Sequence, residues 1–346
     1  MSSPDVSAAP GEAARPEPPA DAIGAAPDAD PRARRVRVLV IVAVVVLLIT
    51  APFFLTPGPL GTLGRILYIG LLAASLDLLL GFTGLPSLGH AAYFGIGAYA
   101  AGLLARDVTA FAPAQLAVGA AAGMAAAALT GWVVVRTGGI YFLMLTLAIG
   151  VLVHQYAETA DFTGGSNGLF GIPPPDLGSE ASAIFEPAPK YWYILAVFAL
   201  GFLALWLASH SRFGLALRGI RDNEDRMRAL GYWVGGYKFA AYCIAGTVAG
   251  LAGTLVVADQ NLVTPADLGF GTSVLAIVAV IIGGAGSLWG PVLGAAVVIY
   301  VRDEIGVSLG GHGPLLLGLV FILSVYLLPG GFAGRLSRAR WWRTAA

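Results

Sequence analysis

Few side chains in this sequence can do chemistry, and where they lie limits what that chemistry is. Asp77 stands inside the apolar run 61–81, and His154 and Glu158 stand one helical turn apart near the end of the run 140–158. An ionisable group within an apolar run is costly in hydrocarbon and marks a candidate ion or proton site. The plainer reading of His154 and Glu158 is that both reach the interface. Arg65 is about three turns from Asp77, too far to pair with it, and Arg302, Asp303 and Glu304 close a later run. A second kind of site is a helix restart. In the stretch Gly81-Phe-Thr-Gly-Leu-Pro-Ser-Leu-Gly-His-Ala-Ala-Tyr-Phe-Gly-Ile-Gly-Ala-Tyr-Ala-Ala-Gly-Leu103, Gly84 and Pro86 break a helix and Ser87 is placed to cap the next. The N–H groups of such a restart, at the positive end of a helix dipole, suit an anionic group such as a carboxylate. Gly95, Gly97 and Gly102 leave room for a substrate or another backbone, and a tight turn followed by a small-residue packing face is the structural alternative.

Several reaction classes are excluded. The chain has two lysines, Lys190 and Lys238, and neither precedes Ser or Thr, so there is no GxxxxGK[ST] and no P-loop hydrolysis of ATP by this polypeptide. The glycine-rich string Ile282-Gly-Gly-Ala-Gly-Ser-Leu-Trp-Gly-Pro291 lacks the lysine of a phosphate loop and sits between apolar runs. No HExxH or Cys/His cluster supports a membrane-embedded hydrolase or a metal site. Cys243 is alone, so no internal disulfide forms.

The elements that must position these residues are apolar. Of 346 residues 57% are hydrophobic and 12% charged, about half the charge of a soluble domain, and the mean hydropathy is +0.79. Zero formal net charge gives no sign of nucleic-acid binding. The apolar runs are continuous rather than alternating, which argues against a β-barrel. They predict an all-α polytopic membrane protein with about ten transmembrane or re-entrant helices. The spans fall near 37–55, 61–81, 88–105, 114–135, 140–158, 191–209, 238–258, 269–286, 288–303 and 313–330; the glycine-rich third, eighth and ninth also fit half-helices. Residues 1–35, rich in Pro, Ala and acidic residues, read as a disordered tail, and the run after it reads as a retained helix rather than a signal peptide. The remaining divisions are helices one to six over 36–209 with an outer loop at 159–190, a charged loop over 210–236, helices seven to ten over 237–330, and a basic tail over 331–346.

The charged loop is the densest polar stretch in the chain. Residues 211–232 carry Arg212, Arg218, Arg221, Arg226 and Arg228 among Asp222, Glu224 and Asp225. Read as one helix from Ser211 to Gly231, it places Phe213, Ala216, Leu217, Ile220 and Met227 on one face; two short helices joined near Asp222-Asn223 fit as well. A solvated loop or a helix on the membrane surface is the alternative, though a lipid-surface helix is mainly basic and this stretch offers both signs. With the N-terminus inside, 16 of the 20 Lys and Arg fall on the cytoplasmic side and 3 outside. The positive-inside rule then puts both termini and the island in the cytoplasm and the 159–190 loop outside. In that loop Thr163-Gly-Gly-Ser-Asn-Gly-Leu169 reads as tight turns. Gly246 and Gly250 form a GxxxG packing face.

Taken together, the strings 80–99, Gly139-Ile-Tyr-Phe-Leu-Met-Leu-Thr-Leu147, 163–169, Phe213-Gly…Arg218…Arg221-Asp-Asn-Glu224 and Gly283-Gly-Ala-Gly-Ser-Leu-Trp-Gly-Pro291 resemble the LivM-type permease of branched-chain amino acid ABC importers. The resemblance covers roughly residues 60–330. Permeases of urea and amide importers share its first and last strings, and a proton-coupled secondary transporter using Asp77 is the more distant alternative. The resemblance implies a permease subunit in a bacterial inner membrane, working by alternating access. Its implied partners are a second permease subunit, two cytoplasmic ATPase subunits that hold ATP and Mg, and an extracytoplasmic substrate-binding protein, with membrane lipid around it. No cofactor is expected in this chain, which is not itself an enzyme. The resemblance makes the island the coupling loop to an ATPase, aligned on Gly214, Arg218, Arg221, Asn223, Glu224 and Gly231. From the residues themselves, the substrate path is expected along Asp77, Gly84, Ser87, Gly89, His90, Gly95 and Gly97, with Gly164, Gly165, Ser166 and Asn167 in the outer loop. Asp77 and Pro86 depart from the family pattern.

Overall fold

The computed structural model describes residues 31–177, 186–308, 312–327 and 330–334. Most of the expected N-terminal and C-terminal tails and part of the outer loop lie outside the described residues. The chain divides into a unit ending at Ala51 and a unit from Pro52 onward. Of the first, the described part belongs to helix α1 (Pro31–Phe54), which takes in the last residues assigned above to the tail. Its apolar side chains from Val42 to Leu47 are largely exposed, as suits a helix whose surroundings are lipid.

The regular structure of the second unit is helical, with two isolated β-bridges in its loops among the described residues. Its helices are α2 (Pro57–Thr83), α3 (His90–Asp107), α4 (Ala112–Val134), α5 (Gly139–Thr159), α6 (Pro187–His210), α7 (Arg212–Asp222), α8 (Glu224–Ala229), α9 (Val234–Gln260), α10 (Phe270–Gly283), α11 (Trp289–Ile299), α12 (Gly306–Ser308) and α13 (Gly313–Leu327). The ten expected runs are each occupied by a helix. Among the described residues six helices are long and apolar enough to span a bilayer: α2, α4, α5, α6, α9 and the stretch that begins with α13. The eighth and ninth runs fall short. α10 and α11 have 14 and 11 residues, a rise of about 21 and 16 Å against about 30 Å of hydrocarbon. They lie side by side as an antiparallel pair joined by the turn 284–288, and α11 runs on through a π-helical stretch, Tyr300–Ile305.

Helices α2 and α9 are buried along most of their length, α4 packs on α9, α6 packs on both, and α5 lies against α3 and the turn 265–268, all three with apolar outer faces exposed. Glycine sets the closest crossings. A methyl group on Gly250 would lie 2.9 Å from the Gly123 Cα, and one on Gly123 would lie 2.8 Å from the Gly250 Cα. Gly97 meets the Gly250 backbone, and Gly253 meets the Phe94 carbonyl. The backbones of α3, α4 and α9 therefore touch directly, the arrangement small residues permit between helices in lipid.

At the end away from the charged island, the connections are hydrogen-bonded together. Leu169 and Val263 exchange backbone bonds of 2.8 and 3.2 Å, and the His154 Nδ1–H donates to the Pro265 carbonyl at 2.8 Å. Glu158 sits 3.5 Å from His154 on the next turn. Arg65 pairs with Asp303 at 2.8 Å, and the Thr62 hydroxyl donates to Glu304 at 2.8 Å. The ionisable groups singled out near this end thus have protein partners. The Gly164–Gly168 segment is a compact turn: Gly164 and Gly168 both have φ of 82°, and at Gly168 a ψ of −172° makes a conformation that only glycine adopts without strain. Gly165 is partly buried, and Ser166 and Asn167 lie exposed on its surface.

Candidate coupling site and substrate path

The island folds as two helices. α7 and α8 are separated by Asn223, whose φ of −161° ends the first, and whose side-chain oxygen accepts from the Arg226 N–H at 2.9 Å to start the second. Ser211 occupies the N-cap of α7, but its hydroxyl donates backward to the Ala208 carbonyl at 2.7 Å. Gly214 has no room for a side chain because the Ser209 backbone lies against it, and Gly231, at φ 86°, turns the chain out of α8. Ala216, Ile220, Met227 and Val234 form a small buried cluster under the two helices, with Tyr237 packed against it. That apolar face leaves Arg212, Asp222, Asp225 and Arg226 outward. Asn223→Ala is expected to destabilise α8 by about 1 kcal/mol, read as faster amide exchange at Arg226 with the exchange of α9 unchanged.

Glu224 anchors α8 to the transmembrane bundle. Its two carboxylate oxygens accept from Arg228 and from Lys238, each at 2.6 Å. Burial pushes this carboxyl up, but hydrogen bonds and charge from Lys238 and Arg228 outweigh it and hold it below its usual value. The pair therefore contributes above the ordinary glutamate range of about 4.3 and is lost as pH falls through the lower folded value. Acidification from neutrality is expected to leave α8 ordered until the pH is below that range. A carboxyl-carbon NMR titration of Glu224 checks this, and a midpoint at or above the ordinary value would refute it. Lys238 lies in the second turn of α9 and is not among the residues expected here; its being one of two lysines in the chain is the available signal. A cleft of about 680 Å³ opens between α8 and the α4–α5 turn, lined among others by Trp132, Arg136, Glu224, Arg228, Trp233 and Lys238.

Arg218 and Arg221 face the bundle instead. The Arg218 guanidinium lies over the Phe82 ring, 4.8 Å from its centre, and the Arg221 Nη1–H donates to the Gly81 carbonyl. α2 ends here with Gly84 in the left-handed region at φ 75° and the Leu85 N–H bonded back to the Leu79 carbonyl at 2.9 Å.

From Gly84 the chain turns back into the bundle rather than across its end. His90, the first residue of α3, meets Ser75, two turns inside α2, at 2.9 Å from Nε2 to Oγ. Gly89 lies against the Thr146 carbonyl and Gly150 of α5. The restart expected to offer N–H groups to a substrate carboxylate has most of them taken. Leu88 N–H donates to Thr146 Oγ1 at 3.2 Å, Ala91 N–H to Ser273 Oγ at 3.0 Å, and Ala92 N–H to the Gly89 carbonyl at 3.1 Å. The cap position is Gly89, so the expected capping role of Ser87 is not realised; the helix starts two residues later than that role needs. Ser87 Oγ and His90 Nδ1 are fully buried and have no hydrogen-bond partner among the described residues, a costly arrangement that needs a reason. The space beside Gly95 is filled by the Leu268 side chain, and that beside Gly97 by Gly250. The glycines thus serve packing in this conformation.

Asp77 is not open to a path either. It is fully buried, and its oxygens accept from the Gly286 N–H at 2.7 Å and the Leu288 N–H at 3.0 Å. The glycine-rich turn that resembled a phosphate loop does hold an anion, but the anion is this carboxylate.

Residues 58–326 match the protein family described as branched-chain amino acid transport system / permease component. The high-affinity branched-chain amino acid transport system permease protein LivM of Escherichia coli K12 is 28% identical over 315 residues, covering 85% of this chain and 74% of its own length. The ribose import permease protein RbsC of the same organism is 29% identical over 254 residues, 67% of this chain and 73% of its own. The autoinducer 2 import system permease protein LsrC of Yersinia pseudotuberculosis is 29% identical over 196 residues, 52% of this chain and 54% of its own. No solved structure matches the chain.

Proposed function

Since the chain belongs to the family of permease components of branched-chain amino acid transport systems, we propose that it forms half of the inner-membrane path for branched-chain amino acids in an ATP-driven importer. The substrate assignment rests on the LivM relatives, which align over more of this chain than the ribose and autoinducer 2 permeases do. The other half of the path is a second permease subunit, and an extracytoplasmic binding protein delivers the substrate. Both termini and the island face the cytoplasm, where two separate ATPase subunits bind ATP and Mg.

The observation that carries this reading is the island itself. Two short helices are held on the bundle by a buried apolar cluster and by Glu224 with Lys238, while Arg212, Asp225 and Arg226 stand exposed. A mixed-sign outer surface on a fixed base suits a protein partner, and closure of the ATPases would move it and switch the path between outward and inward states. The alternative of a proton-coupled transporter loses support, because Asp77 is held by two N–H groups and His154 by the Pro265 carbonyl. The test is uptake into proteoliposomes holding the full complex. Leucine should enter only with ATP inside and with binding protein outside, and ribose or urea should not. Leucine uptake driven by a pH gradient without ATPase subunits would overturn the proposal; uptake of ribose or urea in place of leucine would overturn the substrate.

A further inference from the structure

We infer that Asp77 and Arg221 are positioning residues for transport, forming a latch that ties the coupling island to the α10–α11 hairpin. The inference rests on the coupling role proposed above and adds the route by which motion of the island enters the bundle.

Four observations meet at one place. The Gly81 carbonyl is one of those a helix leaves without an internal partner at its end, since Leu85 bonds Leu79 instead; Arg221 supplies the donor. One turn earlier on the same face, Asp77 holds the N–H groups of Gly286 and Leu288. The arginine, 40% exposed and also donating from Nε and Nη2 to Asp222, lies between these parts: a methyl group on Gly84 would lie 3.0 Å from its Cγ, and one on Gly286 would lie 3.5 Å from its Nη1. Last, Leu288 has φ 55° and ψ −44°, a conformation that costs a non-glycine residue energy and persists only where its surroundings enforce it. Its N–H is one of the two that Asp77 grips, and its side chain is buried.

These contacts give the turn 284–288 a defined shape while Arg221 is seated. Asp77 fixes the strained Leu288 at the start of α11, and Arg221 braces the Gly81 end of α2 beside the same turn from the island side. When the ATPases displace α7, Arg221 leaves the Gly81 carbonyl and the turn 284–288, and the hairpin is released to shift along α2. Ala216, Leu217 and Ile220 are buried and would carry α7 with its neighbours in any case. Arg221 adds a charge-dependent contact that is either made or broken.

The test uses the complete importer in proteoliposomes. Asp77→Asn and Arg221→Ala should each lower leucine transported per ATP hydrolysed about tenfold, the scale of one hydrogen bond to a charged group, with the KM for leucine unchanged. Arg221→Lys, which keeps a cation and a donor, should recover much of the loss. The double variant should lose no more than either single one, because both break the same latch. Amide exchange supplies the second readout: trapping the ATP-bound state should speed exchange at Gly286 and Leu288 in the wild type and leave it unchanged in Arg221→Ala. Multiplying losses in the double variant, or exchange at 286–288 indifferent to nucleotide while the island is protected by the ATPases, would overturn the latch and leave the coupling role standing. If the ATPases give residues 212–231 no protection at all, the coupling role falls and the latch with it. Arg221→Ala keeps the test decisive even if Asp77→Asn fails to assemble.

Discussion

Replacing Gly250 with valine is expected to keep the chain from accumulating in the membrane in a folded form. At this crossing backbone meets backbone. The first added carbon would sit 2.9 Å from the Gly123 Cα, with the Gly119 carbonyl closer still, and neither neighbour is a side chain that can swing aside. Overpacking a core that can adjust costs about 1–3 kcal/mol. Here helices α4 and α9 must separate along their length, so the cost belongs at or above the top of that range, against a total stability of about 5–15 kcal/mol. The control is Gly61→Ala. Gly61 lies in the first turns of α2 with nothing within 4 Å of an added methyl group, and alanine favours a helix over glycine by about 1 kcal/mol, so this variant should be as stable as the wild type or more so. Membrane abundance and thermal unfolding in detergent distinguish the two. A Gly250→Val protein that melts with the wild type would mean that the backbones do not touch as described.

The second large effect is on coupling rather than folding. Glu224→Arg should leave the permease in the membrane and abolish ATP-driven uptake, by at least about tenfold, together with the stimulation of ATPase activity by loaded binding protein. The substitution removes the acceptor for two cations and adds a third. Arg228 is exposed and can turn to water, whereas the Lys238 side chain is only 8% exposed and would face a like charge at close range. α8 must then leave its seat on α9. Reversing the pair with Lys238→Glu in the same chain should restore part of the uptake, which a general disturbance of the loop would not allow. Unchanged ATPase stimulation in Glu224→Arg would count against the island as the coupling element.

What could be read from the sequence follows from the range of the forces involved. The spanning helices were legible because each needs about 20 apolar residues to cross the hydrocarbon, a local property. The divided island was legible as one of two options, since Asn223 is a good cap in the middle of a short polar stretch. The GxxxG at Gly246 and Gly250 announced a close crossing, though not that Gly97, Gly119 and Gly123 would complete it. Asp77 shows where local reading ends. Its partners lie 209 and 211 residues away, and a buried carboxylate held by backbone N–H groups has the same sequence signature as one poised in a transport path. The α3 restart is similar: its amides looked free because the hydroxyls that take them, on Thr146 and Ser273, belong to distant helices. Ser87 failed as a cap through a shift of two residues in the helix start, finer than any composition signal resolves.

The contact of backbones among α3, α4 and α9 also decides where the molecule can bend. Side chains that interlock can trade one rotamer for another and let two helices slide, the basis of shear motion. Main chains in direct contact have no such freedom. These three helices should therefore travel as one rigid body through the transport cycle, and the change between outward and inward states must be accommodated at the joints outside it: the short hairpin α10–α11 and the helices that meet this body through side chains.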